Sequence, residues 1–447
     1  MPDTLALLGD LLAAGLSRRA RQPGAIPLGD RLRRHLRHRP SWLTRLAIFV
    51  LALSSRPVIA QDSDVVTPLQ LLEPEDSDGV RIGPTLVLHP EVRATVRHDT
   101  NIYNTDTARR ADTAFILQPR FTLATDWQRH RLELFGDAEV WRFAKLTPEN
   151  SEAGTAGARA LLELGSWINV RPQVQISRGF EQRGTSGDQF FTDRPVRFTR
   201  KEASIEISRE QHKLEIAASG RIGRTDYDDA TVGGLPISLA ERDVNYREGS
   251  LRVAYNLGSR VQVFGRMDLN GLSYRDPAAQ LRNSSGYALL GGARIRATNL
   301  LDVEAGVGLL HQKFSNPAFS SLNAGNYTLT ATWTPRRTWQ FIAGAGREVA
   351  PSPLLNSPAI FRSTYRLEAR HLLGTRLLLT AQAAHVSEDY RAIGRTDKRT
   401  SFDLSALYRL TPHIGVTAST GYRDQNGGAL GRSYSGFAAS LGVKVVG

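Results

Sequence analysis

From about residue 84 to its last residue, the chain alternates apolar and polar side chains with a period of two, in segments of about ten residues. Over residues 287–310, Tyr287, Leu289, Gly291, Ala293 and Ile295 share one parity while Arg294 and Arg296 share the other. Beyond Thr298 and Asn299 the alternation resumes, with Val303, Ala305, Val307 and Leu309 set against Asp302 and Glu304. Phe361, Tyr365, Leu367 and Ala369 oppose Arg362, Arg366, Glu368 and Arg370 in the same way, and Val170, Val174 and Ile176 oppose Arg171, Gln173 and Gln175. Successive side chains of a strand point to opposite faces, so this period predicts strands with one greasy and one charged side. About eighteen are expected, beginning near Thr85, Ala114, Arg131, Gly154, Ile168, Thr199, Lys213, Glu248, Arg260, Gly286, Leu301, Tyr327, Trp339, Phe361, Arg376, Thr400, His413 and Ser433. The third is irregular, because Phe135 and Trp141 interrupt the alternation in RLELFGDAEVWRF.

The connections alternate too. Short ones (GS at 165–166, LGSR at 257–260, TN at 298–299, TPRR at 334–337, LGT at 373–375, TPH at 411–413) take turns with long ones at 98–111, 179–197, 225–246, 347–359 and 386–397. One end of every hairpin is trimmed and the other elaborated. A soluble sandwich has mixed loops at both ends, whereas an outer-membrane barrel pairs short periplasmic turns with longer external loops. In hydrocarbon an unpaired backbone group costs several kcal/mol, so a spanning sheet must have no edge. The expected fold is therefore all-β: a transmembrane antiparallel barrel over residues 84–447.

On this reading the uncharged parity faces lipid and the charged parity a polar lumen. Arg171, Arg252, Arg266, Arg294, Arg296, Arg362, Arg366, Arg370, Asp268, Asp302, Glu304 and Glu368 are assigned to the lumen, together with Arg93, Arg97, Arg120, Arg260, Arg409, Glu91, Asp137, Glu206, Glu215 and Asp403. A register slip of one residue would turn Arg294 and Arg296 into the membrane, at about 2–4 kcal/mol each near the midplane. Four of the six Trp (Trp127, Trp167, Trp333 and Trp339) fall beside short turns and are expected to form the inner aromatic girdle. Tyr274, Tyr390, Tyr422 and Tyr434, near long loops, are expected in the outer one.

Composition refines this picture. The chain is 41% hydrophobic and 23% charged, unlike a bundle of membrane helices, and without Cys it can build neither disulfides nor thiolate metal sites. The basic stretch RRHLRHRPSWLTR, the apolar run LAIFVLALSS and the small-residue exit VIAQ read as a signal peptide cleaved before Gln61. The apolar run is too short for a spanning helix of about 17–25 residues. Residues 1–60 are thus a leader and 61–83, acidic and Pro-containing, a periplasmic linker. Residues 1–60 hold ten Arg against three Asp, so the net charge of +13 falls to +6 without them. Most of the nucleic-acid-like charge belongs to the leader, and no nucleic-acid partner is expected.

Chemistry is sparse. His311 and His385 fall on outward positions with no Ser or acid as partner, so no catalytic residue is assigned. DYDD at 226–229 lacks a complete calcium-ligand spacing, and GAGRE at 344–348 lacks the strand-to-helix context of a nucleotide loop. No cofactor or metal is expected. The charged wall can set solute selectivity, with a mild anion preference from the Arg excess; alternatively its charges pair across strands and only stiffen a wet interior.

Residues 96–143, VRHDTNIYNTDTARRADTAFILQPRFTLATDWQRHRLELFGDAEVWRF, resemble the outer-membrane β-barrel porin 2 family. The resemblance rests on an Asp/Asn-rich turn with an aromatic (Asp99, Asn101, Tyr103), a later Asp (Asp112), a strand carrying Pro119, and an Asp-Trp turn with a basic pair (Asp126, Trp127, Arg129, His130), and extends over about 84–447. His98 stands where such proteins often have Tyr, and the chain ends in Val445-Val446-Gly447 instead of an aromatic. The resemblance implies a porin-like barrel in the bacterial outer membrane, inserted by the barrel insertion machinery into outer-membrane lipid. It also implies an association with exopolysaccharide or capsule export components. The expected function is passage of small or anionic solutes; the alternative is a closed structural or surface glycan-binding barrel.

Overall fold

A computed structural model describes residues 79–447 apart from 189–191, 212 and 430. The leader and most of the linker expected from the sequence lie outside the described residues. The strands are β1 (Val80–Ile82), β2 (Leu86–Asp99), β3 (Asp112–Thr125), β4 (His130–Phe143), β5 (Ser151–Leu164), β6 (Ile168–Phe180), β7 (Arg197–Gln211), β8 (Leu214–Tyr227), β9 (Ala230–Val232), β10 (Leu235–Ile237) and β11 (Val244–Asn256). They continue as β12 (Val261–Tyr274), β13 (Ser284–Thr298), β14 (Leu301–Phe314), β15 (Leu322–Arg336), β16 (Trp339–Pro351), β17 (Ala359–Leu373), β18 (Leu377–Tyr390), β19 (Arg395–Thr411), β20 (Ile414–Asn426) and β21 (Tyr434–Val446).

One sheet holds nineteen of them; β9 and β10 form a separate hairpin in an outer loop. Within that sheet β1 pairs only with Leu86–Leu88 of β2, inside the segment read from sequence as linker. It covers the part of β2 that β21, pairing with Glu91–Asp99, leaves open. The remaining eighteen strands run antiparallel in chain order, and the β2–β21 pair closes them into a barrel without a free edge. Following the register around the circuit returns to β2 displaced by about 22 residues. With strands about 4.8 Å apart and about 3.3 Å per residue, that stagger fixes a strand tilt of about 40° and a barrel radius of about 18 Å.

Short turns occupy the end that carries both barrel termini, and two of them, at Gly165 (φ 74°) and Gly374 (φ 67°), need the left-handed backbone that glycine adopts freely. The connection between β18 and β19 departs from the expected long loop: the strands continue to Tyr390 and from Arg395, leaving four residues.

Side-chain parity separates the two faces. Val174, Ile176, Ile205, Ile207, Ile222, Leu251, Leu289, Val307, Leu309, Leu404 and Leu441 are exposed on one, with Val307 reaching 72%. The other is the bore, because Arg362 of β17 donates to Ser186 in the loop joining β6 to β7, eight strands away in one direction and nine in the other (3.3 Å). Only a contact across the interior spans that distance. Phe135 and Trp141, the irregular residues of β4, point inward: Arg159 lies over the Phe135 ring and Arg97 over that of Trp141 (5.6 and 5.9 Å). Tyr274, Tyr390 and Tyr434 are likewise turned inward and buried under the outer loops, not in the outer girdle. Of the four tyrosines only Tyr422 is outward, in register with Phe402 and Phe437. Tyr327 and Tyr365 join them on the outward face, hydroxyl to hydroxyl at 2.9 Å.

Candidate functional site

The bore wall is a lattice of ion pairs laid both across and along the strands. Arg171 meets Glu206, its register partner, at 2.9 Å, and Arg294 meets Asp302 through Nε at 3.0 Å and Nη2 at 2.6 Å. Arg266 donates to Asp268 (2.9 Å), which also accepts from Ser250, and Arg370 pairs with Glu368. Arg362 bridges Glu348 (3.0 Å) and Glu388 (2.8 Å). Arg252 reaches from β11 to Glu304 of β14 (3.2 Å), a chord on the concave side. Arg296 lies opposite Asp302 at the short-turn end, and Arg366 projects between Gly344 and Ala384. Both partners of most pairs line water, so each contributes little to stability; the lattice mainly fixes where charge sits.

The wall is not uniformly polar. On β12–β14 the inward residues include Phe264, Leu290 and Leu310, all buried. Phe264 lies flat because Gly292 and Gly306 give it room: a Cβ on Gly292 would come 2.6 Å from its ring and one on Gly306 3.1 Å. The Arg252 guanidinium covers its other face at 4.0 Å. Sequence parity alone marks these positions as small or apolar without revealing that an arginine covers them.

The long loops fold over the outer mouth, tied by arginines. Arg183, in the loop between β6 and β7, donates Nε and Nη2 to Glu149 (3.0 and 2.7 Å) and also reaches Asp188 and Thr192. Burial pulls the other way, but the hydrogen bond and charge of Glu149 hold the Arg183 guanidinium above its ordinary pKa. The same loop is held from the far wall, where Arg399 donates to the Gly184 carbonyl (3.4 Å) and Arg432 to that of Thr185 (2.8 Å). In the next loops Arg242 pairs with Glu181 and stacks on Tyr227 at 4.1 Å. Arg282, 1% exposed, stacks on Tyr274 and donates to the carbonyls of Glu241 and Ser352, so three loops share one guanidinium. None of these loop arginines was legible in the sequence, since loops carry no period. Arg399 could have been found: it continues the parity that selected Asp403 and Arg409.

Beneath the crossing loop the wall is recessed. Ser401, Ser419, Gly421, Ala438 and Ser440 are small, and Arg97, Arg399, Arg423 and Asp403 rim a hollow of about 230 Å³. Arg423 is fixed by Asp99 (2.8 Å) and Asn104 (2.8 Å). Asp403 folds over Gly421, whose missing side chain makes its room.

The Trp residues expected in a girdle lie at short turns: Trp127 and Trp167 are exposed there, while Trp339 stacks on His371 (3.9 Å) and Phe341, and Trp333 on Phe341. His311 and His385 are outward, against Asn323 (2.7 Å) and Thr400 (2.9 Å). Two of the three DYDD acids are tied by arginines, Asp226 to Arg224 and Arg275, Asp228 to Arg178. No His/Asp/Glu group suited to a metal occurs among the described residues.

A closed eighteen-strand barrel with short turns at one end and interlocked loops at the other agrees with a family match over residues 73–446. The chain belongs to the family described as Putative beta-barrel porin 2. It is a porin-like barrel of the bacterial outer membrane. No curated protein sequence matches it. Among solved structures it is similar to the FrpB iron transporter of Neisseria meningitidis, with 8% identity, TM-score 0.47, and coverage of 77% of this chain and 62% of that one. It is similar too to OpdK of Pseudomonas aeruginosa, crystallised with vanillate (10% identity, TM-score 0.45, 80% and 99% covered), and to the siderophore receptor PirA of the same organism (10%, 0.42, 80% and 80%). The chain thus spans under two thirds of the FrpB chain.

Proposed function

We propose that this barrel passes small hydrophilic solutes across the outer membrane, anions in preference, and that they pause in the wall recess under the crossing loop. The observation that carries this reading is the recess itself: Arg97, Arg399 and Arg423 converge on a hollow floored by small side chains, with Asp403 the acid on its rim. Guanidinium groups there can hold a carboxylate or phosphate, and serine hydroxyls can hold its neutral parts. Arg366, in the same register row as Ser401, adds a positive charge along the path. Assistance to the export of a surface glycan is compatible with this wall and is part of the proposal.

The test is conductance of the purified chain in planar bilayers. Stable ion steps with a reversal potential favouring chloride over potassium support the reading. Cation preference in a conducting channel overturns the anion part. A silent barrel would favour the second reading, a closed structural or glycan-binding barrel, which draws on the arginine-tied loops over the mouth. Binding of polysaccharide to the silent protein would then decide for it.

A further inference from the structure

The outward face of β7 and β8 holds an arrangement that the solute path does not use. Lys201 and Arg224 stand directly opposite each other in register, on the parity of Ile205, Ile207 and Ile222. Like charges so placed repel, and the repulsion is relieved by an anion between them. Asp226 engages Nε of Arg224 at 2.7 Å but is shared with Arg275 at 2.5 Å, and Lys201 has no ion-pair partner among the described residues.

Their height on the barrel is informative. Outward residues of β7 run Lys201, Ala203, Ile205, Ile207, Arg209, so the two basic residues bracket an apolar stretch. Eight residues at a tilt of about 40° span about 20 Å along the barrel axis, close to the apolar band of an outer-membrane barrel. Lys201 and Arg224 lie at its loop end, level with the headgroups of the outer leaflet. Just inward of them the register row Leu134, Ala158, Val174, Ala203, Ile222 alternates large and small across five strands. This corrugation makes an open hollow of about 720 Å³ with two lengthwise troughs, one over Ala156 and Ala158, the other over Ala203 leading up to Lys201. Troughs that wide accept acyl chains, and two adjacent cations at their outer end match a phosphate.

We propose that Lys201 and Arg224 bind the phosphate of an acylated phosphoglycolipid in the outer leaflet, with acyl chains lying along the Ala158 and Ala203 troughs.

The full chain, purified in dodecyl maltoside, is tested by native mass spectrometry against diphosphoryl lipid A, its dephosphorylated form, its de-acylated phosphosugar and phosphatidylethanolamine. Diphosphoryl lipid A should be retained at least about tenfold better than the other three, and the doubly substituted Lys201→Gln, Arg224→Gln protein should lose that margin. Retention equal in wild type and variant, or of the de-acylated phosphosugar alone, overturns the proposal. Since the charge variant could fold poorly, Ala158→Phe with Ala203→Phe fills the troughs and keeps both charges. It should weaken lipid A binding in protein that retains heat-modifiable mobility, and unchanged binding there refutes the acyl contact.

Discussion

Replacing Arg183 with Ala tests whether the loop between β6 and β7 is seated in the bore by its arginine. The side chain is 8% exposed and its partner Glu149 3%, so neither charge is screened by solvent. Removing the guanidinium strands Glu149 and Asp188 in a buried site, and breaking such a pair by deleting one member costs about 3–5 kcal/mol. At about 1.4 kcal/mol per tenfold, the seated loop loses a factor of about 10² to several times 10³ relative to released forms. The cost falls on the loop, because the strands close through their own ladders. Limited digestion with a glutamate-specific protease reads it directly: the bond after Glu181, which Arg242 holds at the root of this loop, should be resistant in wild type and cut rapidly in Arg183→Ala, while the barrel strands stay uncut. Channel conductance should rise in the same variant, and Arg183→Lys, which keeps the charge but not the fork, should fall between. An Arg183→Ala protein as resistant after Glu181 as the wild type, together with unaltered conductance, would refute the reasoning.

Three further outcomes are expected. Gly292→Ala places a methyl 2.1 Å from the Ala305 carbonyl and against Phe264 and should destabilise by about 1–3 kcal/mol, whereas neighbouring Gly291→Ala, with open space around it, should be nearly neutral; the temperature at which heat-modifiable mobility is lost measures both. Val307→Arg puts a charge on the most exposed apolar position of β14, and urea titration in lipid vesicles should show a loss of up to about 2–4 kcal/mol. Asp193 accepts from the amides of Gly234 and Gly233 at 2.8 Å each, and these bonds hold its carboxyl below the ordinary carboxylate pKa. A depressed acid contributes above its unfolded pKa of about 3.9 and loses that contribution as pH falls through the folded value. The β9–β10 hairpin should thus stay tethered at neutral pH and come free only in strong acid, seen as faster amide exchange at Gly233 and Gly234; exchange independent of pH after correction for intrinsic rates speaks against the tether.

The sequence by itself determined the strands, their number and their two faces, because a period of two is imposed residue by residue by the pleat and by lipid on one side. Alternating turn lengths determined which end was elaborated, since a tight hairpin needs its turn residues locally. Only the tertiary structure decided what the periods cannot encode. The stagger of the closed circuit set the bore radius. The inward Tyr274 and Tyr390 are covered by Arg282 and Arg395, and the inward Tyr434 by the crossing loop, whose Gly184 carbonyl accepts from its hydroxyl. The crossing of the bore by the loop between β6 and β7 rests on partners more than a hundred residues distant, such as Arg362 and Arg432. Such contacts join segments with no common period, so nothing local in the chain announces them; closure of the barrel brings them within reach.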